Sequence, residues 1–280
     1  MKTLKGFPVV VRIRSAAVSL LAAALTVGLG LLWHQAALSS SNHANPDAPQ
    51  ASSLLADLSS QDPAVVSRAI SRLKQASIPA AAALPHLIAA ATNSSEFVRL
   101  GAVNAIGGYG SDARDALPLL AKTLKDPDPL VREASALALL GIGPDARGYA
   151  ARLIPLLEDD QKNVRDAAVT ALAGFGKDMA PELMKVLKGG SALAAASASE
   201  ALARIGAPAV PQLVELLKTQ GPASDNAAKA LAAIGRPAVE PLIKLLHDPN
   251  PATSRKSEEI LIAIGPPATE GLIKALRAKP

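Results

Sequence analysis

The chain repeats itself. Seven positions, Ser77, Gly110, Gly143, Gly176, Gly206, Gly235 and Gly265, stand 33, 33, 33, 30, 29 and 30 residues apart in similar surroundings. One residue earlier stand Ala76, Tyr109, Ile142, Phe175, Ile205, Ile234 and Ile264, an apolar column. Eight residues before each reference point stand Ala69, Ala102, Ser135, Ala168, Ala198, Ala227 and Ser257, a column of small side chains where two helices can cross closely. A unit of this length cannot bury its apolar face alone, so consecutive units must stack.

The copy from Asp126 to Ala146 shows what one unit holds. Asp126 or Asp128 can act as N-cap, since a short side-chain oxygen accepts from the free amides of the first turn. Pro127 and Pro129 suit that turn, where a missing N–H costs nothing. Val131, Ser135, Ala138, Leu139 and Ile142 recur at helical spacing and predict one buried face. Gly143 provides the positive φ that ends the helix, and Pro144 prevents continuation. A second apolar run follows in each unit, opened by Pro85, Pro118, Pro155, Pro181, Pro211 and Pro241, with Gly271 in the Pro position of the last. These Pro residues predict the first turns of second helices. The connection is longest in the third unit, from Pro144 to Ile154. Two helices per unit and no strand pattern predict an all-α solenoid of about seven hairpins over residues 54–280.

This pattern resembles the HEAT-repeat family, in particular the short bacterial HEAT-like repeats also found in phycobilin lyases. The residues carrying the likeness are Asp126-Pro127, Val131-Arg132, Ala138-Leu139, Ile142-Gly143 and Pro155. They recur as Val98-Arg99, Val164-Arg165, Ala230-Leu231 and Ile234-Gly235. The resemblance implies an armadillo/HEAT-like superhelix whose concave surface is lined by the second helices. It also implies an Arg–Asp ladder between units, in which Asp126 and Asp159 or Asp160 pair with Arg132 or Arg165. For function the resemblance offers protein binding, with chromophore handling of the bilin-lyase kind as an alternative and a plain structural spacer as another.

Composition narrows the chemistry. Hydrophobic residues make up 49% of the chain but aromatics only 2%, so the core is Ala, Leu, Val and Ile. Tyr109, Tyr149, Phe97 and Phe175 are expected to pack. The absence of cysteine excludes disulfides and thiol chemistry. His34, His43, His86 and His247 form no metal-binding spacing, and no phosphate-cradling or nucleophile-elbow motif occurs. Gly107-Gly108-Tyr109-Gly110 reads as a helix end, and Glu158-Asp159-Asp160 as a solvated turn. No cofactor, metal or catalytic residue is expected, and the expected role is a non-catalytic scaffold whose partner is another protein. Of the net charge of +5, residues 1–49 hold +3, so the body is nearly neutral and nucleic-acid binding is not expected. One basic row remains: Lys125, Lys188, Lys218, His247 and Arg277, at the ends of second helices. It favours either the helix dipoles alone or an acidic partner.

Residues 1–14 carry four basic side chains and no acidic one, and residues 15–33 are uncharged. As a helix, those 19 residues span about 28 Å, close to the bilayer's hydrocarbon thickness. The segment is expected to be a transmembrane signal anchor or a cleaved signal peptide, with the repeats on the exported side. Residues 34–53 read as a flexible linker, and Ser52–Ser60 as a short leading helix. The first helices of the fifth and sixth units are rich in Ala and Ser, so this part of the stack is expected to be the softest.

Overall fold

The first helix of each hairpin is followed by a residue at positive φ. A computed structural model describes residues 48–73 and 76–277. In it, positive φ occurs at Ser77, Gly110, Gly143, Gly176, Gly206, Gly235 and Gly265, the seven reference positions of the repeat, and also at Gly221. The basic N-terminus 1–14, the apolar segment 15–33, and residues 34–47 of the linker lie outside the described residues. Among the described residues no helix is long and apolar enough to cross a membrane.

Seven helical hairpins follow one another in the compact unit Ser53–Pro280. The first helices are Pro63–Leu73, Glu96–Gly108, Pro129–Ile142, Lys162–Gly174, Ala192–Ile205, Pro222–Ile234 and Pro251–Ile264. The second helices are Ala80–Ala90, Leu117–Thr123, Ala180–Gly189, Val210–Leu217, Arg236–Leu245 and Pro266–Arg277. In the third unit, 3-10 turns from Gly143 to Glu158 take their place. There are no strands among the described residues. A leading helix, Ala48–Asp57, takes in the last residues of the expected linker and starts earlier than Ser52. Its Leu54, with Leu58 just beyond, is buried, and Ser59 Oγ lies 2.9 Å from His86 Nδ1 in the first hairpin.

Successive first helices pack on each other, and the small-residue column is buried within the stack, where Ser135 Oγ lies 2.7 Å from Thr123 Oγ1 of the preceding second helix. Ala69, Ala102, Ser135, Ala168, Ala198, Ala227 and Ser257 are all at most 1% exposed. Ser135 and Ser257 satisfy their hydroxyls within the helix by donating to Val131 O and Thr253 O four residues back. The predicted face of the third unit, Val131, Ser135, Ala138, Leu139 and Ile142, is buried throughout.

The second helices depart from expectation in where they start. Pro118, Pro181 and Pro211 do lie in the first turn. Pro85 and Pro241 lie inside helices that begin at Ala80 and Arg236. Each removes only the bond to a first-turn carbonyl, of Ala81 or Pro237, and both of those residues are exposed to water. In the late units the turn itself starts the helix. Ala209, Ala238 and Ala268 are buried, and each donates its amide to the carbonyl of Gly206, Gly235 or Gly265 at 2.9 Å. Gly271 replaces Pro because the last two second helices approach closely: a Cβ there would lie 2.5 Å from Val239 Cγ1.

Candidate protein-binding edge

A hairpin repeat has two edges, and the ladder of arginines lies on one of them. This is the edge where each second helix turns into the next first helix. Asp128 caps the first helix of the third unit, accepting from the amides of Leu130 and Val131 at 2.9 and 3.2 Å. Asp126 is thereby left for another task. Its Oδ1 accepts from the Asp128 amide, and both of its oxygens accept from Nε and Nη2 of Arg99 at 2.8 Å. One unit on, Arg132 holds Asp159 in the same way, with both bonds at 2.8 Å.

Of the expected pairings Arg132 with Asp159 forms, whereas Asp126 is held by Arg99 of the preceding unit and not by Arg132 or Arg165. Arg99 and Arg132 each reach the Asp that follows by 27 residues. Arg132 meets Asp126 only through the backbone, donating from Nη1 to Asp126 O and Pro127 O. Asp160 takes no rung; its backbone carbonyl accepts from Arg165. Side chains in both pairs are 7–16% exposed. Burial alone would raise the Asp126 and Asp159 carboxyl pKa values. The hydrogen bonds from Arg99 and Arg132, the local backbone amides and the nearby guanidinium charges outweigh it, and both values fall below the usual carboxylate range. Arg99 and Arg132 are correspondingly raised, first by the carboxylate hydrogen bond and against desolvation.

The predicted basic row lies on this same edge, one residue per unit. Lys125, Lys188, Lys218, His247 and Arg277 are all exposed. They do not converge on one point, since stacked helices are roughly 8–10 Å apart. The row is also broken: Glu158 occupies the equivalent place in the third unit, where it accepts from Ser191 Oγ at 2.9 Å. Lys218 is engaged within its own helix, donating to Glu215 at 2.7 Å, which raises its pKa. Lys125, Lys188, His247 and Arg277 have no side-chain partner among the described residues.

Comparison with known proteins places this architecture. The family model for HEAT repeats matches residues 51–140 and 150–224. The chain is a HEAT-repeat protein. The model for the PBS lyase HEAT-like repeat matches residues 225–248. No curated protein matches the sequence. Among solved structures, the karyopherin Kap121p bound to the extreme C-terminus of the protein phosphatase Cdc14p is 15% identical, with a TM-score of 0.59. The match covers 82% of this chain and 31% of that one, so the present chain spans about a third of the karyopherin. The complex of CpcE and CpcF of phycocyanin lyase from Nostoc sp. PCC7120 is 20% identical, covering 75% and 93%, with a TM-score of 0.42. The HEAT-like repeats protein from Thermococcus onnurineus NA1 is 14% identical, covering 78% and 98%, with a TM-score of 0.41. At 15% identity the likeness to the karyopherin is one of fold.

Three apolar side chains on the ladder edge of this HEAT-repeat stack escaped the sequence reading. Phe97, expected to pack, is instead 72% exposed; Leu130 is 49% and Leu193 43% exposed. Each is the second residue of its first helix, and Asn163 holds that place in the fourth unit, donating to Glu133. Counting from the N-caps would have found them, because that position points away from the buried face. The other aromatics do pack or bond: Phe175 is buried, Tyr109 donates to Ile78 O at 3.0 Å, and Arg152 lies 5.6 Å above the Tyr149 ring.

Proposed function

We propose that this HEAT-repeat protein is a non-catalytic scaffold that binds another protein along the ladder edge. The exposed row of Phe97, Leu130 and Leu193 carries the reading. Large apolar side chains in register over several units, rimmed by Lys125 and Lys188, have the make-up of an interface: apolar anchors within a polar rim. The uncharged segment 15–33, with its basic flank, supports tethering to a membrane with the repeats on the exported side.

Photo-crosslinking in native membranes tests the proposal. A photoreactive residue placed at Phe97, Leu130 or Leu193 of the full-length chain should capture one and the same protein. The same residue at Asp145, exposed on the opposite edge, should not. Equal capture from both edges, or none from either, overturns the scaffold reading and favours a spacer. Release of the chain from those membranes by salt alone contradicts the tether.

A second reading rests on the match of residues 225–248 to the PBS lyase HEAT-like repeat. The last two second helices enclose a groove of about 630 Å³ lined by Val239, Ile243, Gly271 and Lys274. Mixing the protein with a free bilin distinguishes the two: a shifted, protein-bound absorbance supports chromophore handling, and an unchanged spectrum removes it.

A further inference from the structure

The arginine ladder has three forks and two internal carboxylates. In each of the three units the Arg stands fourth in its first helix, and the preceding turn holds its Nη1. Arg99 donates to Asn93 O and Ser94 O, Arg132 to Asp126 O and Pro127 O, and Arg165 to Asp159 O and Asp160 O. This anchoring leaves Nε and Nη2 as a parallel pair of donors directed towards the next unit. Asp126 fills the first pair and Asp159 the second, each with two bonds of 2.8 Å. For Arg165 no partner exists for this pair among the described residues. The Asp of each rung stands two residues before the N-cap of the following helix: Asp126 before Asp128, and Asp159 before Gln161. Counted back from N-cap Ser191 that place falls on Gly189, here still the last residue of the second helix Ala180–Gly189 and without a side chain, and a Cβ built there meets nothing within 4 Å.

We propose that Arg165, Gly189 and Leu193 form a docking notch for one carboxylate side chain of the partner protein. The proposal rests on the ladder edge being the binding surface. A guanidinium fixed by two carbonyls has lost little freedom still to lose, and its planar fork matches a carboxylate through two charge-assisted bonds. Leu193 supplies an apolar neighbour, and Lys188, exposed and unpaired among the described residues, adds positive charge beside Gly189. Glu158 and the exposed Asp160 border the same turn, and they disfavour a dianionic phosphate or a run of acids. The ligand is therefore a single Asp or Glu within an otherwise apolar segment.

The test uses the full-length chain with 15N-labelled arginine and two synthetic octapeptides. One carries a single Glu flanked by Leu; the other has Gln in place of the Glu. The Glu peptide should move the Arg165 Nε–Hε resonance and leave those of Arg99 and Arg132, already paired, in place. The Gln peptide should bind at least about tenfold more weakly. Gly189→Asp should supply the missing internal carboxylate without disturbing the fold, and abolish the preference for Glu. Equal binding of the two peptides, no binding of either, or a Glu preference that survives in Gly189→Asp overturns the notch. Crosslinking from Phe97 is independent of these results, so a captured partner alongside a failed Glu preference leaves the scaffold standing without the notch.

Discussion

Gly143 has φ 82° and ψ −136°, a combination open essentially to glycine alone. Gly143→Ala should lower unfolding stability by about 1–3 kcal/mol. Ser77 stands in the same column at φ 48°, and Ser77→Gly should raise stability by roughly 0.5–1 kcal/mol, both effects being read from urea midpoints at constant m. The column was legible from sequence because its backbone demand is local. The ladder was legible only in part, since Arg132–Asp159 was among the expected pairings and Arg99–Asp126 was not. Asp126 lies six residues from Arg132 and 27 from Arg99, and only the direction in which each fork leaves its helix selects the distant partner. The pairing has a pH signature. Asp126 and Asp159 have folded pKa values below the ordinary carboxylate value, so their contribution is complete above that unfolded value, near 3.8. It is lost as pH falls through the lower folded values. Asp159→Asn should cost about 1–3 kcal/mol at pH 7, and the gap from the parent chain should narrow as pH falls below 3.8 and through the lowered folded value. A gap unchanged at low pH would show that the carboxylate charge contributes nothing.

Packing between elements follows from side-chain size at the crossing points. Ala168 has no exposed surface, and its counterparts in all seven units are Ala or Ser. Ala168→Leu forces extra methylenes into a filled contact and should destabilise by about 1–3 kcal/mol, whereas Ala151→Leu, on an exposed position, should stay within about 0.5 kcal/mol in the same thermal melt. Equal effects would mean that the column is small for a reason other than close crossing. First helices were readable because cap, face and stop coincide within one stretch. Second helices were not, because two start signals compete. The Gly-x-Pro-Ala turns at 206–209 and 235–238 offer one proline, and Pro211 and Pro241 offer another only a few residues later. Burial of the turn alanine is a tertiary effect, and in the sixth unit it moves the helix start from Pro241 to Arg236. Phe97 shows the converse: an aromatic residue in an aromatic-poor chain invites a packing role, yet it lies one residue before buried Val98, about 100° round the helix, which puts it in solvent.

Over the whole stack, stability is a sum of unit terms and nearest-neighbour terms, and these are unevenly distributed. The first helix of the third unit buries Val131, Leu139 and Ile142 and has a bidentate rung on either side. The first helix of the sixth buries Ser224, Ala227, Ala230 and Leu231, and the last helix buries only Ala268. Each buried Val, Leu or Ile is worth about 1.5–3 kcal/mol, so losing even two is not offset by exposed pairs such as Arg236–Glu270, worth about 0–1 kcal/mol. Native-state hydrogen exchange should therefore show amides of 222–277 opening at a free energy at least about 2 kcal/mol below those of 96–174. Asp159→Asn should then weaken protection on both sides of the missing rung, in 129–142 and 162–174, while leaving 222–277 unchanged. Uniform protection across all seven units would contradict the uneven sum. It would mean that the interfaces are strong enough for the array to open only as a whole, with partner binding at one unit felt at every other.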